Sequence, residues 1–323
     1  MKINQKLIAA FVCMSSVCLV SCKKDFISYE PQAQQGKTCT LTVDASLGAQ
    51  TKVTGTSEAI NAAEKTISTL QVLVFRKDGL LDAYAKSTSA SLSLTCTEGE
   101  RTVYAIVNGA DMSSVSTKAA LDGKVLDLSE NAPNKLIMMG SRTVTLPSES
   151  AVTVDVVRFV SRIVINKISR NFESAALGAQ DFQIKRIYVS NAAGTVDYAK
   201  SKTPSKWYNA GDTKTDLGAL LSDSSLSVSI ANTKSYSTPH YFYTLPNASA
   251  STKLVIEAVL GGKTYYYPVT LPALESNKSY EIAGLTVKRP GADQPGGEVS
   301  SQDVTFGVNV IDWTMVPVSE QII

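Results

Sequence analysis

The sequence predicts an all-β protein, with two immunoglobulin-like or transthyretin-like β-sandwich domains in tandem and one further strand at the C-terminus. Its apolar segments alternate with polar residues or are rich in β-branched residues, and Gly, Pro and Asp turns separate them. No segment shows a convincing long helical periodicity. The length of 323 residues favours roughly two domains, and 44% hydrophobic residues suit a folded globular protein.

The N-terminus has the features of a bacterial export signal. MKINQK carries two lysines, and an apolar run of about signal-peptide length follows over residues 7–20. This run is shorter than the roughly 20 residues that a membrane-spanning helix needs. It ends in LVSC, which resembles the lipobox that precedes a lipidated cysteine. We therefore predict a signal peptide over residues 1–21, lipidation of Cys22 by palmitate, and a polar linker over residues 22–37.

The first predicted strand is TCTLTVDAS, at residues 38–46. Its period of two places Cys39, Leu41, Val43 and Ala45 on one face, as in a strand with one buried side. The stretch of small residues that follows is predicted to be a loop containing one helical turn.

Predicted strands then alternate with turns along the chain. Hairpins are predicted at the KDG turn after TLQVLVFR and at the EGE turn after LSLTCT, and a short helix at STKAALDGKV. The β-branched run AVTVDVVRFVSRIVINKIS is so long that it must bend or pass between domains. The other predicted strands are LLDAYAK, RTVYAIVN, LIMMGSRTVTLP, FQIKRIYVSN, HYFYTLP, TKLVIEAVLGGKTYYYPVTLP and KSYEIAGLTVKR.

These elements predict the domain organisation. The first sandwich domain is placed at residues 38–163 and the second at residues 164–289. A Gly/Pro linker over residues 290–303 precedes a last strand segment at residues 304–323.

The last segment, VTFGVNVIDW, is a good strand with no later strand to pair with. Its alternation places four apolar side chains on one face, those of Val304, Phe306, Val308 and Val310. The alternation breaks after Val310, so Ile311 and Trp313 are expected to lie over the other side.

Composition and motifs do not support an enzyme or a nucleic-acid-binding protein. The net charge is +2, without a basic footprint. The single histidine, His240, rules out a two-histidine metal site, and beside aromatics it is better explained as a packed residue than as a catalyst. Cys39 and Cys96 lack CxxC spacing, and no Gly-rich phosphate loop, GxSxG or HExxH motif occurs. We predict no cofactor and no metal.

Two aromatic patches leave a binding function open. KTYYYPV and the Trp207–Tyr208 pair could form a glycan platform. Strand alternation puts Tyr265 and Tyr267 on one face and Tyr266 on the other, which favours ordinary cross-strand packing. A surface glycan-binding lipoprotein therefore stands as an alternative hypothesis.

Eight segments follow the lipobox in a fixed order: TLTVDAS, TISTLQVLVFRKDG, CTEGERTVYAIVNGA, LIMMGSRTVTL, VRFVSRIVI, GKTYYYPV, NKSYEIAGLTVKRPG and VTFGVNVIDWTMVPV. This succession is similar to the fimbrillin family, the major fimbrial subunit proteins of type V pili in Bacteroidales-type bacteria. The resemblance covers nearly the whole chain.

The resemblance implies a structural pilin with a role in cell adhesion and biofilm. Fimbrillins are exported as lipoproteins to the outer membrane surface, where a trypsin-like, usually Arg-specific, protease cuts the loop after the first strand. The cut removes the lipid and the first strand, here residues 38–46, and leaves a groove. The C-terminal donor strand of another subunit fills the groove, and repetition builds a head-to-tail fimbrium. The implied partners are other copies of the chain or related pilins, and the protease; no host receptor is identified.

One position departs from the family pattern. In the predicted cleavage loop, residues 47–57, the basic residue is Lys52 rather than arginine. A protease that accepts lysine would leave Val53 as the first mature residue, whereas an Arg-only protease should not cut. Without the cut, the chain would be a lipid-anchored pilus base or a standalone surface adhesin, which is the second hypothesis.

The cysteines bear on the same exchange. Cys13 and Cys18 lie in the predicted signal peptide and Cys22 carries the lipid, so Cys39 and Cys96 are left in the mature chain. A disulfide between these two would hold the first strand in place, so we predict that both are reduced thiols.

Overall fold

The computed structural model describes residues 36–47, 62–211, 213–297, 299 and 304–313. Strands dominate the described residues, and the predicted all-β class is confirmed. The predicted signal peptide, Cys22, and the loop positions Lys52 and Val53 lie outside the described residues.

Short strands account for most of the described chain. In chain order they are β1 Thr38–Ser46, β2 Leu70–Arg76, β3 Leu81–Ser87, β4 Ser91–Thr97, β5 Gly99–Val107, β6 Val125–Asp127, β7 Met138–Leu146, β8 Ala151–Asp155, β9 Val157–Arg158, β10 Ser161–Ile165, β11 Ile168–Arg170, β12 Phe182–Ser190, β13 Ala192–Ala193, β14 Thr195–Asp197, β15 Trp207–Tyr208, β16 Ser222–Asp223, β17 Val228–Ser229, β18 Ser235–Tyr236, β19 His240–Thr244, β20 Lys253–Leu260, β21 Lys263–Thr270, β22 Lys278–Val287 and β23 Val304–Asp312. The helices are α1 Lys118–Asp122 and α2 Ala175–Gly178, with 3-10 turns at Ala62–Lys65, Leu128–Glu130 and Gly218–Leu220.

The first sandwich encloses its own core. A three-stranded sheet of order β4–β1–β8 and a five-stranded sheet of order β3–β2–β5–β7–β9 bury one hydrophobic cluster, to which both sheets contribute. The five-stranded sheet is covered on both faces, since β2 is buried at every position from Leu70 to Phe75. Leu73 and Phe75 on its second face belong to the larger core that the rest of the chain builds.

The second sandwich is formed by two larger sheets. In one, β22 is flanked on one side by β10 and β11 and on the other by β23, and β19 and β18 complete the sheet. In the other, the order is β16–β12–β20–β21, with β17 also on β12. Two small two-stranded sheets, β6–β14 and β13–β15, connect peripheral segments.

The long β-branched run at residues 151–169 bends, as predicted, and forms four separate strands, β8 to β11. The first of these lies in the first sandwich and the third lies in the second sandwich. The predicted domain boundary between residues 163 and 164 falls inside β10, and the division into two domains stays a prediction. The predicted short helix is α1. No helix in the described ranges is both long and apolar enough to span a membrane.

Candidate functional site

Strand β1 lies in the middle of its sheet. It pairs antiparallel with β4 over residues 38–44 and parallel with β8 over residues 42–46. Leu41 and Val43 are fully buried and Ala45 is 8% exposed. The alternation read from the sequence therefore corresponds to real burial against the first core.

Removal of β1 would open the sandwich rather than trim its edge. Both β4 and β8 would lose the partner of their backbone N–H and C=O groups, and the core would lose its Leu41 and Val43 side chains. Neighbouring strands lie about 4.8 Å apart, so the gap between β4 and β8 would be about 9–10 Å. Such a gap accommodates one strand.

Cys39 and Cys96 lie directly opposite each other on β1 and β4. The Glu98 N–H donates to the Lys37 carbonyl two residues away, at 2.9 Å, so the cysteines also occupy a hydrogen-bonded pair position. Their Cα atoms are therefore about 5.5 Å apart, which a disulfide can bridge. Both are free thiols in the structure. Burial, helped by the Asp82 carboxylate, raises the pKa of Cys96 to about 12, which keeps the thiol protonated.

Strand β23 is docked on its own chain. It pairs antiparallel with β22, from Val304 opposite Val287 to Asp312 opposite Lys278, with one bulge in β22. It forms the edge of its sheet, because β10 and β11 occupy the other side of β22. The sequence analysis assigned this strand no partner within the chain, and β22 provides one.

The apolar face of β23 is only partly covered. Val304 is buried and Val308 is half-buried, but Phe306 is 41% and Val310 51% exposed. Together with Val125 they are the exposed large hydrophobic side chains of the described part of the chain. The β22 residues that pair with Phe306 and Val310 are Leu285 and Tyr280, and both are buried. The apolar face of this sheet therefore extends beyond the layer that covers it. The unused apolar surface is available for burial elsewhere.

The end of β23 is anchored by Trp313, which is 2% exposed. Its backbone N–H donates to the Asn277 carbonyl at 3.1 Å, and its indole Nε1–H donates to Glu64 Oε2 at 3.1 Å. The indole stacks on the Tyr243 ring, with centroids 5.8 Å apart and planes 23° from parallel. The Arg158 guanidinium lies over the indole, 4.5 Å from its centroid.

Glu64 is the centre of a buried charged cluster, which we call the Glu64 cluster: Glu64, Arg158, Arg162, Tyr243, Glu281 and Trp313. The Tyr243 hydroxyl donates to Glu64 Oε1 at 2.6 Å, and Arg162 Nη1 donates to Oε2 at 3.1 Å. Arg158 Nη2 donates to the Glu64 backbone carbonyl at 3.1 Å, and Arg162 also pairs with Glu281 at 3.5 Å. Two carboxylates face two guanidinium groups, which is the balance that buried charges require.

Burial dominates the electrostatics of this cluster. It lowers the pKa of Arg158 to about 10, an effect that the Glu64 carboxylate partly offsets. It raises the pKa of Glu281, against the opposing influence of Arg162. It also raises the pKa of Tyr243, and Glu64 adds to that shift. Arg158 and Tyr243 thus keep their ordinary charge states at pH 7.

Sequence reasoning missed the Glu64 cluster. A signal was present, because VRFVSR places two arginines inside an otherwise β-branched run, and buried guanidinium groups need acidic partners. The partner, Glu64, lies in a stretch that was predicted to be a loop containing one helical turn, and it belongs to the 3-10 turn Ala62–Lys65. Nothing in the sequence linked it to Trp313, 249 residues later.

His240 is a packed residue. Its Nδ1–H donates to Asp223 Oδ2 at 3.0 Å, because a carboxylate only accepts, and Nε2 then accepts from the Tyr236 hydroxyl at 3.0 Å. Burial lowers the pKa of His240 despite the opposing Asp223 charge, so the ring is neutral at pH 7. Within the described residues, no group of three His, Cys, Asp or Glu side chains is placed to hold a metal.

The aromatic patches make intramolecular contacts. Tyr267 is fully buried, and its hydroxyl donates to the Arg289 carbonyl at 3.2 Å. Tyr266 lies opposite Glu257, with Lys214 over its ring at 4.6 Å. The Tyr208 hydroxyl donates to Asp127 at 2.6 Å. These contacts are the cross-strand and inter-segment packing that strand alternation favoured.

Residues 38–167 match the family model described as major fimbrial subunit protein (FimA). Over these residues the chain is similar to the fimbrillin family. The matched segment begins at β1 and extends past β10, so it contains the complete first sandwich. The resemblance to major fimbrial subunit proteins that was predicted from the sequence is confirmed over residues 38–167.

The fimbrillin match is accompanied by a shared fold over most of the chain. A candidate cell adhesion protein from Bacteroides eggerthii is 20% identical with a TM-score of 0.67, covering 88% of this chain and 98% of that one. A candidate cell adhesion protein from Parabacteroides distasonis is 18% identical with a TM-score of 0.63, covering 87% and 98%. A fimbrilin (FimA) from Porphyromonas gingivalis is 15% identical with a TM-score of 0.60, covering 86% and 98%. No curated protein matches the sequence significantly.

Proposed function

We propose that this chain is the structural stalk subunit of a fimbrium and that it polymerises by donor-strand exchange after proteolysis. The observation that carries the proposal is the position of β1, a central strand with Leu41 and Val43 fully buried, immediately before the predicted cleavage loop. Cutting after Lys52 would free β1 from the rest of the chain. The groove left between β4 and β8 would need a replacement strand.

The uncovered face of β23 supports its role as that replacement. Fully burying a large apolar side chain contributes roughly 1.5–3 kcal/mol. Phe306 and Val310 are about half exposed on their own chain, so each would gain about 1 kcal/mol in a closed groove. The full apolar face, with Val304 and Val308, could contribute on the order of 10 kcal/mol gross, to which backbone pairing adds.

The proposal includes a membrane-anchored precursor. The chain would be exported as a lipoprotein anchored in the outer membrane through Cys22, and would enter the fimbrium once the protease has removed lipid and β1 together. Its partners are then other copies of itself or related pilins. The head-to-tail contact between them does not close on itself, and such a contact makes a filament.

The test is the N-terminus and intact mass of the protein taken from the surface of its native bacterium. A start at Val53 with SDS-resistant ladders is expected, and Lys52→Gln should abolish both. Lys37→Gln is the matched control, because Lys37 precedes β1 and its loss should leave the ladder intact. A start at lipidated Cys22 without a ladder would instead identify a lipid-anchored base or adhesin. Saturable oligosaccharide binding by that monomer would favour the glycan-binding alternative.

A further inference from the structure

The Glu64 cluster brings together two segments that the proposed exchange must separate. Glu64 belongs to the 3-10 turn Ala62–Lys65, which follows the predicted cleavage loop in the chain. Trp313 comes directly after β23, the proposed donor strand. A direct hydrogen bond of 3.1 Å joins Trp313 to Glu64, from the indole Nε1–H to the carboxylate.

The contact lies on the face of the β23 sheet opposite to Tyr280 and Ile282. Arg162 is opposite Tyr243 and beside Ser279, so these three side chains share one face. Tyr280 and Ile282 are the next residues of β22 that face the opposite way, and both faces of the sheet are buried at this point. Glu64 and Trp313 therefore cover the Arg162 face together, and both pack against the two arginines.

Trp313 attaches β23 to its own chain outside the backbone ladder, through its hydrogen bond to Glu64 and its stacking on Tyr243. Over residues 304–310, Val304 is buried and Val308 is half-buried, whereas Phe306 and Val310 are exposed. Loss of the Trp313 site would leave the end of this edge strand opposite to Val304 without its buried anchor. Edge strands held in this way open readily.

We propose that the Ala62–Lys65 turn is a clasp: through Glu64 it holds Trp313, and so keeps β23 on its own chain until the strand is exchanged. The biological meaning of the clasp rests on the proposed function. The attachment of β23 by Glu64 can nevertheless be measured whether or not the chain polymerises. Before the cut, the turn is tied to the fold on both sides, by β1 and by β2. After a cut behind Lys52 only the β2 side remains, so the clasp is weaker when a donor strand is needed.

The test is hydrogen exchange of the uncut chain, comparing wild type with Glu64→Gln. The glutamine keeps the shape of the side chain but removes the charge that faces Arg162. Amides of residues 305–312 should exchange roughly tenfold faster, whereas those of β5 should not change. Glu173→Gln, at an exposed carboxylate, is the matched control and should change neither. Equal loss of protection in β5 would show a merely structural role and would overturn the clasp.

A second variant tests the same contact if Glu64→Gln does not fold. Trp313→Phe keeps a ring to stack on Tyr243 but cannot donate to Glu64, and it should also open residues 305–312. The chain has two tryptophans, so in a Trp207→Phe background the fluorescence reports Trp313 alone. Glu64→Gln should then red-shift the emission and increase acrylamide quenching. Unchanged emission and unchanged exchange in both variants would overturn the proposal.

Different outcomes would reject the clasp and the proposed function. Faster exchange of β23 in the Glu64→Gln chain, with no ladder after cleavage, would retain the clasp and reject polymerisation. A normal ladder with no change in exchange would retain polymerisation and reject the clasp. If both hold, cleaved Glu64→Gln should form ladders faster than the cleaved wild-type chain.

Discussion

At the scale of single residues, the opposed Cys39 and Cys96 offer a direct control over β1. Their reduced state stays a prediction, but their register means that an oxidant such as diamide, which accepts two electrons and two protons, could join them. The bond would tie β1 covalently to β4. It would not alter the cleavage loop.

We therefore expect oxidation of the uncut precursor to abolish polymer formation without preventing cleavage after Lys52. On non-reducing gels the fragment carrying β1 should stay attached to the rest of the chain, and dithiothreitol should release it and restore the ladder. Cys39→Ser should polymerise equally with and without diamide. Ladders of unchanged intensity from verified disulfide-bonded precursor would contradict removal of β1.

A second residue, Gly140, fixes how β7 meets β8. A Cβ at this position would lie 1.9 Å from the Asp155 carbonyl oxygen, far inside van der Waals contact. Gly140→Ala must push the two strands apart, and we expect it to lower the free energy of unfolding by about 1–3 kcal/mol. Urea unfolding followed by circular dichroism measures the change. Gly307→Ala, with nothing within 4 Å of its Cβ, should be nearly neutral, and equal losses would refute the close approach.

At the scale of elements, the short strand β6 is secured by its last residue, Asp127. The carboxylate caps the Leu128–Glu130 turn by accepting from the Ser129 backbone N–H at 2.9 Å. It also accepts from Lys206 at 2.9 Å and from Tyr208 at 2.6 Å, which joins β6 to β15. Burial acts to raise the pKa of Asp127, but these hydrogen bonds outweigh it and hold the pKa well below its ordinary value of 3.8.

A lowered carboxyl pKa stabilises the fold above the ordinary value, and that stability is lost as the pH falls below it. Asp127→Asn should lower the free energy of unfolding by about 1–2 kcal/mol at pH 7. The difference from wild type should shrink when urea unfolding is repeated near pH 3. The exposed Asp181→Asn is the control and should show little effect at either pH. A deficit of the same size at both pH values would mean that Asp127 acts without its charge.

Periodicity predicted the longer strands and missed the shortest. β2, β4, β5, β12, β20 and β22 each show alternating or β-branched patterns over seven or more residues, and each lies where it was expected. Most strands from β13 to β18 have two residues, too few for a period of two to be seen. Those strands exist because longer neighbours offer them backbone partners, and the local sequence does not encode them.

At the scale of the whole molecule, the sequence predicted which segments are strands better than which strands are neighbours. The burial of Leu41 and Val43 was readable from alternation, yet the parallel pairing of β1 with β8 was not, because it joins residues far apart in the chain. The docking of β23 on β22 and the Glu64 cluster are long-range in the same way. Such contacts depend on packing that a single sequence does not reveal.

The linker to β23 also behaves differently from a free tether. Ala292 pairs with Tyr266, with backbone hydrogen bonds of 2.9 Å in both directions, and a Cβ on Gly291 would clash with the Tyr266 carbonyl. The first part of the linker is thus attached to β21. The donor strand of the proposed exchange would pivot from about residue 293, and its roughly ten remaining linker residues span at most about 33–36 Å.

The two neighbours of β1 have a consequence for any fibre that this subunit builds. β4 runs against β1 and β8 runs with it, so a strand that restores both ladders can enter in one direction only. Every subunit would then face the same way along the fibre, and the two ends of the fibre would be chemically different. One end would present an empty groove and the other an unused strand, so growth at each end would draw on a different part of the incoming subunit.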